Sequence, residues 1–378
     1  MIGSRGLRLG RVFGIQIAID LSWIFIVVLM TWSLSAAFTR WHPDWGVATV
    51  LGTSLLASLL FFVSVILHEL AHSLVARRFG IPVTSIVLFL FGGVSNIERE
   101  PSSPGSEFLT AVVGPLTSIV LGVILLALGT IVTRSTSDEL LEPAEVLARL
   151  TPGQSLLLWL GPINILVGVF NLIPGFPLDG GRILRSAIWG ITRDVRVATR
   201  WASAIGQAIG WGLVFLGVAI VFGARIPFFG QGLIAGLWLA FIGWFLSSAA
   251  AQTWRRELTR EVLEGLTVAR LMVAPGPAVP AKINVAALLE DWMMRGDSRA
   301  FPVEGDAGRF VGLVTLEDVR RTPREAWDST EVCAAMTPLA KLVAAAPSDD
   351  LSQAADKMAR ADVAQLPVLD ADSRLVGL

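Results

Sequence analysis

Ser64-Val65-Ile66-Leu67-His68-Glu69-Leu70-Ala71-His72 lies where an uncharged apolar run, residues 46–67, meets its first ionisable groups. A run of that length crosses a bilayer, which takes about 20 apolar residues. Ionisable side chains at such a place are costly and mark function by default. The five residues from His68 read H-E-x-x-H. On a helix, positions i and i+4 share one face with Cβ atoms about 5–6 Å apart. Two imidazoles so placed can hold one Zn2+, and the glutamate between them can act as a base toward water. Two of the chain's three histidines sit in this motif. The competing reading is a pair of satisfied core histidines with a helix-end glutamate. It leaves three polar groups near hydrocarbon with no metal to offset the cost.

The rest of the chain agrees with a membrane setting. Of its 378 residues, 53 % are apolar and only 16 % charged, against about 25 % charged in a typical soluble protein. One soluble core cannot absorb that much apolar surface, and disordered chains are polar. A net charge of −1 argues against nucleic acid as a partner. The single cysteine, Cys333, excludes a disulfide framework and a cysteine-rich zinc site. Six stretches without Asp, Glu, Lys or Arg are long enough to span: 21–39, 46–67, 108–133, 151–178, 201–224 and 226–254. The expected fold is a polytopic α-helical membrane protein of about six transmembrane helices. The first span is expected to stay uncleaved, because Asp20 interrupts the approach to a long apolar run. With a cytoplasmic N-terminus, fourteen arginines before, between and after the spans lie inside and four outside (Arg40, Arg134, Arg149, Arg225). That bias predicts a multi-pass protein of the cell membrane with its N-terminus and tail in the cytoplasm.

A catalytic zinc needs a third protein ligand and an open position. His42 lies at the opposite end of the second span, about 35–40 Å of helix away. The fourth span supplies a carboxylate: Asp179 follows 28 uncharged residues and reaches the same depth as His68 and His72. Pro174, Gly175 and Pro177 break the helix before it, and broken backbone at membrane depth is tolerated where it lines a cavity in the protein. A helix-end aspartate paired with Arg182 is the alternative.

H-E-x-x-H on an early span, followed by Asn171-Leu172-Ile173-Pro174-Gly175-Phe176-Pro177-Leu178-Asp179-Gly180-Gly181-Arg182 on a later one, resembles the site-2 protease family of intramembrane zinc metalloproteases. The resemblance covers about residues 1–255. It implies one zinc per chain held by His68, His72 and Asp179, with Glu69 as general base. It also implies a membrane-associated β-hairpin after the H-E-x-x-H span that engages substrate. Residues 81–97 fit one, with strands over 83–87 and 88–91 and a turn at Gly92-Gly93; an ordinary surface hairpin fits as well. Asn171 either polarises the scissile carbonyl or orders the broken helix. The implied partners are the lipid bilayer and single-span membrane proteins, such as a membrane-anchored regulator or anti-sigma factor. Cleavage releases a cytoplasmic fragment.

After residue 254 the chain becomes mixed and charged, and residues 262–378 contain a repeat. Phe301-Pro302-Val303 and Arg309-Phe310-Val311-Gly312-Leu313 recur 65 residues later as Leu366-Pro367-Val368 and Arg374-Leu375-Val376-Gly377-Leu378. Each unit reads as an amphipathic helix followed by two strands. The pattern is similar to a pair of cystathionine-beta-synthase (CBS) domains, small α/β modules, with the second unit stopping at Leu378 where its T-x-x-D would begin. The resemblance implies an adenine nucleotide bound through Thr315 and Asp318 of the first unit, and a homodimer through the tail. Capping of the following helix by the same two residues is the other reading. An alternative function for the whole chain is a CBS-regulated transporter or channel with Asp179 as an ion site. It leaves the glutamate between the histidines unused, and no inverted repeat of broken helices is visible.

Overall fold

Asp20 opens the first long helix, accepting hydrogen bonds from the Ser22 N–H at 2.9 Å and the Ser22 hydroxyl at 2.6 Å, the usual satisfaction of a helix N-terminus. The computed structural model describes residues 7–90, 92–97, 101–134, 148–226, 230–263, 265–294, 298 and 300–378; the rest, including most of the expected external loop after the third span, lies outside the described residues. The chain divides into two compact units, 1–257 and 258–378.

In the first unit α1 (Leu21–Trp41), α2 (Val47–Arg78), α3 (Pro104–Arg134) and α4 (Pro152–Asn171) are followed by a shorter amphipathic helix, α5 (Asp179–Thr192). Then come α6 (Val195–Val221) and α7 (Leu233–Leu263). Six of these, all but α5, are long and apolar enough to cross a membrane. The 32 residues of α2 amount to about 48 Å at 1.5 Å per residue, well beyond a hydrocarbon core of about 30 Å. The length before His68 alone is enough to cross it. The expected break in the fourth apolar run occurs after Asn171, where residues 172–178 leave the helix before α5 begins at Asp179.

Two strands before α1 are absent from the sequence-based expectation. β1 (Leu7–Val12) and β2 (Ile15–Ile19) form a hairpin. β2 pairs in parallel with β3 (Val83–Phe89), and β3 pairs antiparallel with β4 (Gly92–Ile97), giving one sheet in the order β1-β2-β3-β4. Ile15, Ile17, Ile86 and Leu88 bury its inner face. The alternation Ile15-Gln16-Ile17-Ala18-Ile19 is the strand signal; its closeness to the first apolar run hides it. The hairpin also needs a correction. The strands are 83–89 and 92–97, so Gly92 and Gly93 pair with Phe89 and Leu88 instead of making the turn. Glycine is required at 93 by close approach, since a Cβ there would stand 2.6 Å from Glu69 Cγ.

In the second unit β5 (Val279–Pro280), β6 (Ala300–Glu304), β7 (Phe310–Thr315) and β8 (Thr337–Pro338) form a sheet in chain order. β9 (Val368–Leu369) and β10 (Leu375–Gly377) form a second pair. Helices α8 (Leu316–Arg321) and α9 (Leu351–Ala361) follow β7 and precede β9. The repeat is visible in the packing. Phe301 and Val303 bury in one apolar cluster, and their counterparts Leu366 and Val368 in another.

Candidate metal centre and active site

The i, i+4 spacing on α2 brings the two imidazoles of His68 and His72 together, with Nε2 atoms 3.1 Å apart. The broken segment 172–178 turns the chain so that α5 starts with Asp179 facing them. Gly180 and Gly181 lie so close under the backbone of residues 172–176 that a Cβ at either would collide. Asp179 Oδ2 stands 3.1 Å from His68 Nε2 and 3.2 Å from His72 Nε2. These three residues form a group that could hold a metal ion, with ligand atoms all within 4.8 Å of one another. Both histidines are buried.

Helix α3 supports the imidazoles from behind. The Thr110 carbonyl lies 2.6 Å from His72 Nδ1. A carbonyl only accepts, so Nδ1 carries a proton, and in the neutral ring Nε2 presents its lone pair toward Asp179. The Ser118 hydroxyl lies 2.9 Å from His68 Nδ1 and can orient that ring in the same way. Two ring lone pairs and a carboxylate oxygen then meet at about 3 Å, an arrangement that calls for a cation among them. Two imidazoles and a carboxylate, each imidazole with an outer hydrogen-bond partner, suit Zn2+ by donor type. Gly114 on α3 keeps the space open: a Cβ there would stand 2.8 Å from His68 Nε2 and closer still to His72 Nε2.

Glu69 lies on the neighbouring face of α2, half-buried. Its Oε2 accepts a hydrogen bond of 2.7 Å from Ser95 Oγ on β4, and the Ser95 and Ser73 hydroxyls are 3.2 Å apart. The hairpin therefore touches the glutamate between the two histidines.

The other expected residues are not all gathered here. Asn171 ends α4 with its side chain partly exposed and makes no hydrogen bond to His68, Glu69, His72 or Asp179 among the described residues. His42 is buried elsewhere, stacked on Trp45 at 3.8 Å and 3.0 Å from the Ser155 hydroxyl. Thr315 and Asp318 belong to the second unit and form a capping box at the start of α8. Asp318 Oδ2 accepts from the Thr315 N–H at 2.9 Å and hydroxyl at 2.8 Å. Among the described residues the polar neighbours of Asp318 Oδ1 are Thr337 Oγ1 at 3.5 Å and Arg321 Nη1 at 3.8 Å. Sequence reasoning alone does not find Thr110, Gly114, Ser118 or Ser95. Gly114 and Ser118, four apart on α3, are the available signal.

The profile of peptidase family M50 matches residues 56–216, and that of the CBS domain matches 268–325 and 331–378. A protein of Synechocystis sp. that carries a zinc metalloprotease name is 32 % identical over 99 % of this chain and 93 % of its own length. A Mycobacterium tuberculosis protein with a zinc metalloprotease name is 33 % identical over 98 % of this chain and 89 % of its own. Among solved structures, the site-2 protease from Methanocaldococcus jannaschii is 28 % identical, covers 66 % of this chain and 95 % of its own, and superposes with a TM-score of 0.42. The transporter or channel reading falls away. The chain belongs to peptidase family M50, the site-2 protease family of zinc metalloproteases, and carries CBS domains behind its protease domain.

Proposed function

We propose that this protein is a zinc-dependent intramembrane endopeptidase that cuts single-span membrane proteins, with the protease domain in residues 1–255 and the CBS pair in 262–378. One observation supports the reading above all others. Nε2 of His68, Nε2 of His72 and Oδ2 of Asp179 converge within 3.1–3.2 Å, and the helix of the two histidines carries Glu69 between them. In this reading the three residues hold zinc. When bound, the metal supplies Lewis acidity, the chemistry that makes water a nucleophile at neutral pH. Glu69 takes the proton from the attacking water as its oxygen adds to the scissile carbonyl carbon. It then delivers that proton to the amine nitrogen as the C–N bond breaks. Ser95 holds Oε2 of Glu69 while this happens. Asn171 is assigned to the substrate carbonyl, with ordering of residues 172–178 as the other outcome of an Asn171→Ala test. Loss of kcat alone supports the first, and loss of zinc the second.

β4 is an edge strand of its sheet. An unwound substrate segment can pair along it and pass beside Glu69, since an open edge offers unpaired backbone groups. The substrate is a membrane-anchored regulator whose cut releases a cytoplasmic fragment, given the arginine bias toward a cytoplasmic N-terminus and tail. The tail adds regulation by an adenine nucleotide, for which Asp318 Oδ1 retains acceptor capacity, and association with a second copy.

The test is metal content together with cleavage of a model membrane helix by the purified protein. Glu69→Gln should retain one zinc and lose about 10²–10⁴-fold in rate, the worth of general base catalysis. His68→Ala and Asp179→Ala should lose the zinc as well. An Asp179→Ala protein with full zinc and full activity would remove Asp179 from the ligand set.

A further inference from the structure

Behind the three candidate ligands lies a buried ion pair that no part of the hydrolysis uses. Glu107, in the first turn of α3, is fully buried. Its Oε1 accepts a hydrogen bond of 2.7 Å from Arg185 Nε on α5 and meets Arg185 Nη2 as well, with Arg182 Nε 3.9 Å away. Arg185 is itself buried, and its guanidinium lies 5.6 Å from the centre of the Phe176 ring in the broken segment before α5. One turn along α3 from Glu107, the Thr110 carbonyl holds His72. The start of α3 thus touches both halves of the candidate metal centre, α2 through Thr110 and α5 through Glu107.

A buried ion pair is weak evidence of stabilisation, because desolvating two charges offsets most of their attraction, and its better-attested use is to specify register. Asp179 is the first residue of α5, after the non-helical stretch 172–178. Its position is therefore set by where α5 docks. Nε and Nη2 of one guanidinium fork converge on the single oxygen Oε1, while Oε2 is buried without a hydrogen-bond partner among the described residues, so the contact fixes where Arg185, and with it α5, meets α3.

We propose that Glu107 and Arg185 are positioning residues of the active site. Their buried pair sets the register of α5 on α3 and so holds Asp179 at 3.1–3.2 Å from the two histidines. The inference rests on the reading of His68, His72 and Asp179 as metal ligands.

The experiment uses the full chain in detergent micelles, carrying Glu107→Gln, Arg185→Gln, Arg185→Lys or Arg182→Gln, with Asp179→Ala alongside. Each protein is first tested for a single size-exclusion peak and a cooperative melt. The readouts are the rate at which zinc passes to a chelator, the visible spectrum of the Co2+-substituted protein, and kcat against KM. Glu107→Gln and Arg185→Gln should release zinc faster, by up to about 10–100-fold, the cost in affinity of losing a direct hydrogen-bond partner of a ligand. They should alter the Co2+ bands and lower kcat with KM little changed. Arg185→Lys, which keeps the charge without the fork, should fall between wild type and Arg185→Gln; it also serves if Glu107→Gln does not fold. Arg182→Gln, which removes only the longer contact at 3.9 Å, should shift zinc release and the Co2+ bands less than Arg185→Gln. Wild-type zinc release and Co2+ bands in Glu107→Gln and Arg185→Gln, with only the melt lowered, would overturn the proposal. If Asp179→Ala also releases zinc at the wild-type rate, the metal-site reading fails first and takes the proposal with it. Fast release from Asp179→Ala alone sinks the proposal and spares the reading.

Discussion

At Gly114 a single missing methyl group decides whether the site exists. The space a Cβ would fill is already bordered by Nε2 of both histidines, and neither ring can retreat while Thr110 and Ser118 hold the Nδ1 sides. Gly114→Ala should therefore lower zinc occupancy sharply while the protein still folds, since alanine is a better helix former than glycine. Metal analysis of the purified variant checks this, and full occupancy would mean that the rings have room to shift. His68, Glu69, His72 and Asp179 are legible in the sequence alone, because their chemical types are conspicuous against apolar surroundings. Thr110 is not, because it acts through its backbone carbonyl, which every residue possesses.

At the scale of elements, the broken segment and the helix caps carry the testable content. Thr315 and Asp318 cap α8, so Thr315→Ala should cost about 0.5–2 kcal/mol, seen as a lower melting temperature of the second unit. Thr315→Ser should restore most of it. If nucleotide regulation runs through Asp318, the ATP or AMP effect on cleavage should disappear in Asp318→Asn and persist in Thr315→Ser. At the start of α9, Asp350 accepts from the Ser352 hydroxyl at 2.5 Å, the Ser352 N–H at 2.8 Å and the Gly265 N–H at 3.0 Å. The Ser352 side chain chiefly, and then these backbone donors, hold its carboxyl below the usual range. A carboxyl depressed in the folded state contributes stability above its unfolded pKa, about 3.9, and loses it as pH falls through the lower folded value. Melts of the full chain from about pH 5 downward should show a fall that Asp350→Asn reduces. An equally steep fall in the variant would assign the acid sensitivity to other groups. The two strands before α1 are hidden at this scale, since five residues of alternation are easily absorbed into an adjoining span.

For the molecule as a whole, topology is the open quantity. The arginine distribution predicts a cytoplasmic N-terminus and tail. A reporter fused after Trp254 should read as cytoplasmic, and one in the loop 135–148 as external. The reverse result would put the candidate metal centre at the other face of the membrane. A nucleotide response should require the tail: a chain ending at Leu266 should cleave a model helix equally with and without ATP or AMP. A response that survives that truncation would remove the CBS pair as its source.

The sequence by itself determined the membrane setting, the six spans, the candidate site residues and the repeated tail. Each is written in local composition or fixed spacing: uncharged runs of bilayer length, i and i+4 on one helix, proline and glycine before an aspartate, and a recurrence after 65 residues. Only the tertiary structure decided what meets what. It brought Asp179 to the histidines across more than a hundred residues of chain, put Ser95 on Glu69, and joined the strands before α1 to the hairpin in one sheet. It also backed the two imidazoles with α3 and buried Glu107 against Arg185. The physical reason is that such contacts are fixed by how helices pack and where a broken segment points. Those depend on complementary surfaces far apart in the chain, and no periodicity or short motif records them.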